Sequence, residues 1–218
     1  MRRIVDVCVA AAVLLVTLPV WVGLAAINMA WTGRPFFRQT RLGRGLQPFA
    51  LFKFQTMVAG PPGASTVTVA GDARITRYGR VLRALKLDEL PQCINVLRGE
   101  MSLVGPRPLT PNEVAAVHAD VAAAVYAVPP GVTGIAALAF ADEERMLARW
   151  ADPHAAYFDR VLHEKMALEL AYRQRRTWLT DLAIVVASPL APWAPWLRRW
   201  LVARLVAASP VAAQEART

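Results

Sequence analysis

The stretch Ile4-Val5-Asp6-Val7-Cys8-Val9-Ala10-Ala11-Ala12-Val13-Leu14-Leu15-Val16-Thr17-Leu18-Pro19-Val20-Trp21-Val22-Gly23-Leu24-Ala25-Ala26-Ile27-Asn28-Met29-Ala30-Trp31 is nearly continuous apolar sequence, interrupted by Asp6, Thr17, Pro19 and Asn28. About twenty apolar residues suffice to cross a bilayer. A secretory signal is the competing reading, since Met1-Arg2-Arg3 resembles its basic start, but the apolar run is long and lacks a polar cleavage region. Charge separates a span from a hairpin. Arg2 and Arg3 precede the segment, Arg34, Arg38, Arg41 and Arg44 follow it, and no acidic residue lies between Gly33 and Lys53. Positive residues near a membrane segment favour the cytoplasmic side, a preference that one straight span cannot satisfy at both ends. Pro19 near the middle removes a helix hydrogen bond and favours a bend. On these residues alone a re-entrant hairpin and a kinked span are equally supported.

The remaining composition narrows the class. The chain has 218 residues, 56% of them hydrophobic and 19% charged, which excludes disorder as its main state. Mean hydropathy of +0.33 fits a globular domain with a minority of membrane-embedded sequence. Cys8 and Cys93 form no ligand pattern, so neither a disulfide framework nor a zinc site is expected. The formal charge is +9; residues 1–107 hold 14 Lys and Arg against five Asp and Glu, so the first half carries the excess. Such an excess suits nucleic acid, anionic lipid or a polyphosphate substrate.

Past the apolar segment, Phe49, Leu51 and Phe54 read as extended structure following a glycine turn at Gly43 and Gly45. Residues 58–71 read as a loop ending in a short strand, and Val81, Leu82 and Leu85 have helical spacing. Leu87-Asp88-Glu89-Leu90-Pro91-Gln92 reads as the start of a helix running to Gly99, with Asp88 as its cap and a dipole that favours ionised carboxylates. The plain reading of the Asp88–Glu89 pair is therefore a helix start. Its neighbours point further: Arg83, Lys86 and Arg107 are close in sequence, and Gly105-Pro106-Arg107-Pro108 is a stiff turn that presents a guanidinium. A carboxylate pair beside cations can hold a divalent metal and a diphosphate, with one carboxylate left to attack phosphorus.

Several runs then fall in a recognisable order: Phe36-Phe37-Arg38-Gln39-Thr40-Arg41-Leu42-Gly43, Lys53-Phe54-Gln55-Thr56-Met57, Asp72-Ala73-Arg74-Ile75-Thr76, Leu82-Arg83, Leu87 to Gln92, Asn95-Val96-Leu97, Met101 to Pro108 and Pro130-Gly131-Val132-Thr133-Gly134. Together they cover about half the chain and resemble the monotopic phosphoglycosyl transferases, or bacterial sugar transferases. The resemblance implies an enzyme on the cytoplasmic face of the bacterial inner membrane. It would move a sugar-1-phosphate from a nucleoside-diphosphate sugar, usually a UDP-sugar, to polyprenol phosphate. By position, Asp88 would be the nucleophile and Glu89 its partner. Arg107 with Pro106 would hold phosphate, Arg83 and Lys53 would be further cationic contacts, and the implied cofactor is Mg2+ bound at Asp88. Two departures stand out: Leu18 replaces the family's Ser before the helix-breaking Pro, leaving Thr17 as the nearby hydroxyl, and Gln55 replaces an Arg.

The chain thus reads as α+β and mostly helical, a compact membrane-associated catalytic domain with an N-terminal re-entrant membrane helix and short strands. Residues 1–32 would be the membrane helix broken near Pro19, 33–183 the catalytic domain, and 184–218 a tail rich in Pro, Trp and Arg. Helix candidates follow at Asp142–Trp150, Pro153–Arg176 and Trp196–Ala207. Trp193, Trp196 and Trp200 beside Arg198 and Arg199 suit a membrane interface or an ordinary surface helix equally. His118, His154 and His163 lack ligand spacing and read as solvated. Expected partners are the nucleotide sugar, polyprenol phosphate and membrane lipid, with a homodimer and downstream glycosyltransferases as further candidates and no nucleic acid. A membrane-anchored scaffold weakened in catalysis is the alternative to the enzyme.

Overall fold

A computed structural model describes residues 2–60, 67–191 and 193–206. The first element, α1, runs from Arg2 to Thr32 and contains Pro19. At about 1.5 Å per residue it is roughly 46 Å long. It ends at Gly33, whose φ of +70° a side chain would oppose, and whose N–H bonds the Met29 carbonyl at 2.9 Å. Next come two antiparallel strands, β1 (Phe37–Leu42) and β2 (Pro48–Lys53), which place Phe37 opposite Lys53 and Leu42 opposite Pro48. Helices α2 (Arg77–Ala84) and α3 (Gln92–Arg98) flank a 3-10 turn at Leu87–Glu89. Strand β3 (Ser102–Val104) leads through α4 (Pro111–Ala115) and α5 (Ala119–Val125) to β4 (Gly131–Thr133), which pairs parallel with β3. The rest is helical: α6 (Ile135–Ala139), α7 (Glu143–Leu147), α8 (Pro153–Ala156), α9 (Leu162–Arg175), α10 (Trp178–Leu190) and α11 (Pro195–Val206). A π-helical turn at Tyr157–Val161 joins α8 to α9 without a break. The expected mostly helical chain with short strands is what forms.

One face of α1 lies on the globular domain and the others do not. Asp6, Ala10, Val13, Leu14, Thr17, Trp21, Leu24, Asn28 and Thr32 are buried or half-buried, a spacing of three to four that stays in phase through Pro19. Both ends are fastened. The Arg3 guanidinium donates to the Val96 and Leu97 carbonyls at the end of α3, where helix carbonyls lack partners. Asp6 accepts from the Ser102 hydroxyl at 2.7 Å and from the Leu103 N–H at 3.3 Å. Further along, the Trp21 ring lies 4.9 Å from Phe36 and 6.3 Å from Phe54, and the Asn28 amide donates to the Pro35 carbonyl at 3.4 Å. The outer face carries exposed Ile4, Leu15, Val16 (81% exposed), Val22, Ile27 and Met29. By length and composition α1 could cross a membrane, and only 6% of its most apolar window is buried in the protein. An apolar face of this extent calls for a cover other than water. The Thr17 hydroxyl bonds the Val13 carbonyl at 2.6 Å, so it does not serve the Leu15 carbonyl that Pro19 leaves without a donor.

Several local expectations are corrected. No helix starts at Leu87: Lys86 ends α2 in the left-handed region (φ 57°), Leu87–Glu89 forms the 3-10 turn, and α3 begins after Pro91. Asp88 accordingly caps nothing. Val81 and Leu85 are exposed although Leu82 is buried, and residues 67–71 form no strand. The remainder of that loop, 61–66, and the tail beyond Val206 lie outside the described residues. Asp142–Trp150 condenses to the short α7. Arg198 does not join Trp200 at the surface; it is buried and pairs with Asp142 at 2.7 Å.

The two glycine-bearing motifs serve one close contact. The Gly105 N–H bonds the Thr133 carbonyl at 2.9 Å, and the Gly131 N–H bonds the Pro106 carbonyl at 2.9 Å. A Cβ on Gly131 would come within 2.1 Å of the Gly105 nitrogen and 2.3 Å of the Thr133 oxygen, both backbone atoms. Gly131→Ala should therefore destabilise the fold by about 1–3 kcal/mol, as overpacking does. Denaturant unfolding in detergent checks this, and wild-type stability of the variant would contradict the packing account.

Candidate active site

Three chain segments converge on two carboxylates. Buried Asn95 accepts the Phe52 N–H at 3.1 Å and donates to the Ala50 carbonyl at 2.7 Å, pinning β2 to α3. One residue past the strand, the Phe54 N–H bonds the Asp88 carbonyl at 3.0 Å, which fastens the strand end to the 3-10 turn. Lys53, last in β2, then reaches Glu89 with an Nζ to Oε1 distance of 3.0 Å. From the third segment Arg107 approaches the same oxygen at 3.7 Å. The turn that carries it is held from behind: the Tyr126 hydroxyl donates to the Arg107 carbonyl at 2.5 Å and Arg41 to the Pro108 carbonyl at 3.0 Å. Arg41 is in turn paired with Glu113 at 3.1 Å, and Glu113 also accepts from the Tyr157 hydroxyl at 2.6 Å and from Thr110.

The adjacent carboxylates differ in environment. Burial pushes the Glu89 carboxyl up, but Lys53, Arg107 and Lys86 together outweigh it and hold the group at about 2. Asp88, 7% exposed, is raised above the ordinary carboxylate value by burial first and by the Glu89 charge second, with Lys53, Arg83 and Lys86 offsetting only part of this. Among the described residues no side-chain hydrogen bond to the Asp88 carboxylate is recorded. The sequence expectation of a helix dipole that favours an ionised Asp88 is thereby reversed. Glu89 is a committed anion that collects cations. Asp88 is a carboxylate with free lone pairs and higher basicity, the better nucleophile of the two. Lys53 is itself lowered by burial, with Glu89 partly restoring it.

Of the residues singled out in sequence, the fold joins Lys53, Glu89 and Arg107 through ion pairs, with Asp88 beside Glu89 on the 3-10 turn, whereas Pro106 gives its carbonyl to the Gly131 N–H. Arg83 is turned aside: its guanidinium pairs with Glu144 and lies 3.7 Å from the Met57 sulfur, so its charge acts on Asp88 from a distance. The cleft between the cations is lined also by Arg41, Gln92 and Thr133. All three belong to the sequence motifs, but a motif does not say which of its members turn inward. Gln55 lies elsewhere, in a separate cavity of about 520 Å3 at the end of α1. The three histidines are exposed as expected, and the described residues contain no group of three or more His, Cys, Asp or Glu able to hold a metal. Carbon-detected NMR titration should find Asp88 ionising above, and Glu89 below, their ordinary values. Lys53→Met removes a cation that lowers both, so both should move to higher pH. A Glu89 titration unmoved by that change would contradict the role given to Lys53.

Known proteins place this arrangement in context. The family model described as bacterial sugar transferase matches residues 1–192. The chain is 42% identical over 139 residues to a UDP-glucose:undecaprenyl-phosphate glucose-1-phosphate transferase of Caulobacter vibrioides, covering 62% of this chain and 52% of that protein. It is 33% identical over 195 residues to the Xanthomonas campestris pv. campestris protein of the same description, covering 86% and 37%. It is also 36% identical over 152 residues to the exopolysaccharide production protein ExoY of Rhizobium meliloti, covering 62% and 66%. The chain thus spans about half the length of the Caulobacter relative and little more than a third of the Xanthomonas one. The match to the family model over nearly the whole chain shows that the chain belongs to the bacterial sugar transferase family.

Proposed function

We propose that the chain transfers a sugar-1-phosphate from a nucleoside-diphosphate sugar, a UDP-sugar by analogy with its relatives, to polyprenol phosphate, and so starts a glycoconjugate such as an exopolysaccharide. The observation that carries this reading is the division of labour in the dyad, a free and basic Asp88 carboxylate beside a Glu89 that gathers Lys53 and Arg107. In the first step an Asp88 oxygen bonds the β-phosphorus. The bond to the bridging oxygen breaks, and its electron pair leaves with the nucleoside monophosphate. In the second step an oxygen of the lipid phosphate bonds that phosphorus, and the bond to Asp88 breaks, restoring the carboxylate. Arg107 and Lys53 take up charge on the phosphate oxygens as it develops. Two half-reactions let a soluble donor and a membrane-bound acceptor react at Asp88 in turn.

Mg2+ fits the donor set: one carboxylate with open lone pairs is what this ion takes from a protein when substrate phosphates supply further oxygens. Asp88 would hold it together with the diphosphate, whose charge it would neutralise. α1 runs unbroken through Pro19 and packs its inner face on the domain from Arg3 to Trp21, which supports a helix held to one leaflet, with the domain on the cytoplasmic side of the inner membrane. Gln55 lines a different cavity from the cleft between Lys53 and Arg107, so its departure from the family pattern does not favour the scaffold reading.

Incubation with sugar-labelled UDP-sugars and no lipid acceptor should leave a phosphosugar on Asp88, read by mass spectrometry. Asp88→Asn should abolish both adduct and UMP release. Arg107→Lys keeps charge but loses the planar fork. It should slow turnover by about a hundredfold to a thousandfold, the cost of a lost transition-state contact. Turnover without any adduct, with sequential kinetics, would overturn the covalent step.

A further inference from the structure

The cavity at the end of α1 is not the dyad cleft, and it is built differently. Trp31, Thr32, Arg34, Phe36, Phe37, Arg38, Gln55, Val58 and Ala59 line its volume of about 520 Å3. In the dyad region three cations already have a carboxylate: Lys53 and Arg107 share Glu89, and Arg83 has Glu144. Among the described residues neither Arg34 nor Arg38 has a carboxylate within salt-bridge distance. Arg38 instead lies 5.3 Å over the Phe52 ring, which leaves its charge unneutralised. The rim is apolar: Trp31 and Phe37 are each 42% exposed and Val58 is 48% exposed. That rim continues the outer face of α1, where Ile27 and Met29 are exposed as well. Two uncompensated guanidinium groups at the base of an apolar face match a ligand with a doubly charged anionic head and a long hydrocarbon chain.

The cavity also stands beside the chemistry. Phe37, on its wall, is the hairpin partner of Lys53, which holds Glu89. Gln55 follows Lys53 by two residues, a run of about 7 Å in extended chain. Phe54 between them is hydrogen-bonded to Asp88 through the backbone.

We infer that this cavity seats the phosphate monoester of a membrane lipid, with Arg34 and Arg38 as its phosphate contacts and the hydrocarbon chain laid along the exposed face of α1. The inference rests on the reading of the chain as a transferase with a lipid acceptor, and it identifies where that acceptor waits. A phosphomonoester carries up to two charges and exposes three oxygens for guanidinium forks, whereas the phosphodiester of a phospholipid carries one charge and exposes two oxygens.

Native mass spectrometry of the full chain in phosphatidylcholine nanodiscs would test this, with undecaprenyl phosphate, phosphatidylglycerol or inorganic phosphate added in turn. Undecaprenyl phosphate should be retained in preference to phosphatidylglycerol, and inorganic phosphate should compete weakly. Arg34→Gln and Arg38→Gln should each lower retention of undecaprenyl phosphate by about tenfold, the worth of a charged hydrogen bond. Arg204→Gln, an exposed cation on α11, should not. Arg34→Lys, which keeps the charge, should recover part of the retention, and melting curves identify any variant that fails to fold. Retention indifferent to both arginines, or phosphatidylglycerol held as well as undecaprenyl phosphate, would overturn the inference. The acceptor-free adduct on Asp88 is read separately. Its absence would remove the two-step reaction and leave arginine-dependent lipid retention standing, and the converse result would remove only the lipid seat.

Discussion

The structure turns on keeping Glu89 ionised while half-buried. An anion withdrawn from water must be paired and hydrogen-bonded or it neutralises itself. Two cations from distant parts of the chain meet that demand, Lys53 at 3.0 Å and Arg107 at 3.7 Å. Their convergence requires that β2 end beside the 3-10 turn and that the Pro106–Pro108 turn be pressed against both. Asn95 and the Phe54 to Asp88 backbone bond secure the first contact; the glycine-to-glycine approach of the β3 and β4 ends secures the second. Behind Arg107, Arg41, Glu113, Tyr126 and Tyr157 form a polar network with every member partnered, so the turn has little freedom to drift.

Asp88 benefits from this without taking part in it. Lys53 and Arg107 spend their contacts on Glu89, and the negative charge that Glu89 keeps raises Asp88, an effect that Lys53, Arg83 and Lys86 offset only in part. Two carboxylates of the same chemistry, adjacent in sequence, are separated into one that gathers cations and one without a side-chain hydrogen bond among the described residues, by which one the side chains reach.

α1 is joined to this centre through its inner face. Ala10 packs with Leu51, Cys93, Val96 and Met101, the residues around which β2 and α3 meet. The basic residues at its start have a second use, since Arg3 closes the carbonyl end of α3 and Arg2 lies 3.6 Å from Asp181 before α10 enters the helical core. Charge at the start of the apolar segment therefore reports attachment to the domain as well as any preference for one side of a membrane.

Much of the fold was readable from local pattern. The apolar run becomes α1, the glycine turn joins β1 to β2, and the Pro153–Arg176 helix is present with a π-turn inside it. The Asp88 region misled because caps, prolines and acidic residues mark a helix start equally well when a 3-10 turn follows a left-handed Lys86. Arg198 misled because a basic residue among tryptophans looks the same in sequence whether it faces lipid or pairs with Asp142 inside the protein. The sequence by itself determined the apolar helix, the motif set and the identity of the dyad, since these depend on residue type and near spacing. Only the tertiary structure decided that Lys53 and Arg107 serve Glu89 rather than Asp88, that Arg83 turns to Glu144, and that Gln55 lines a different cavity. Pairing energy falls steeply with distance, and the separations that matter, from Lys53 to Glu89 or from Arg83 to Glu144, exist only once the strands and turns have packed.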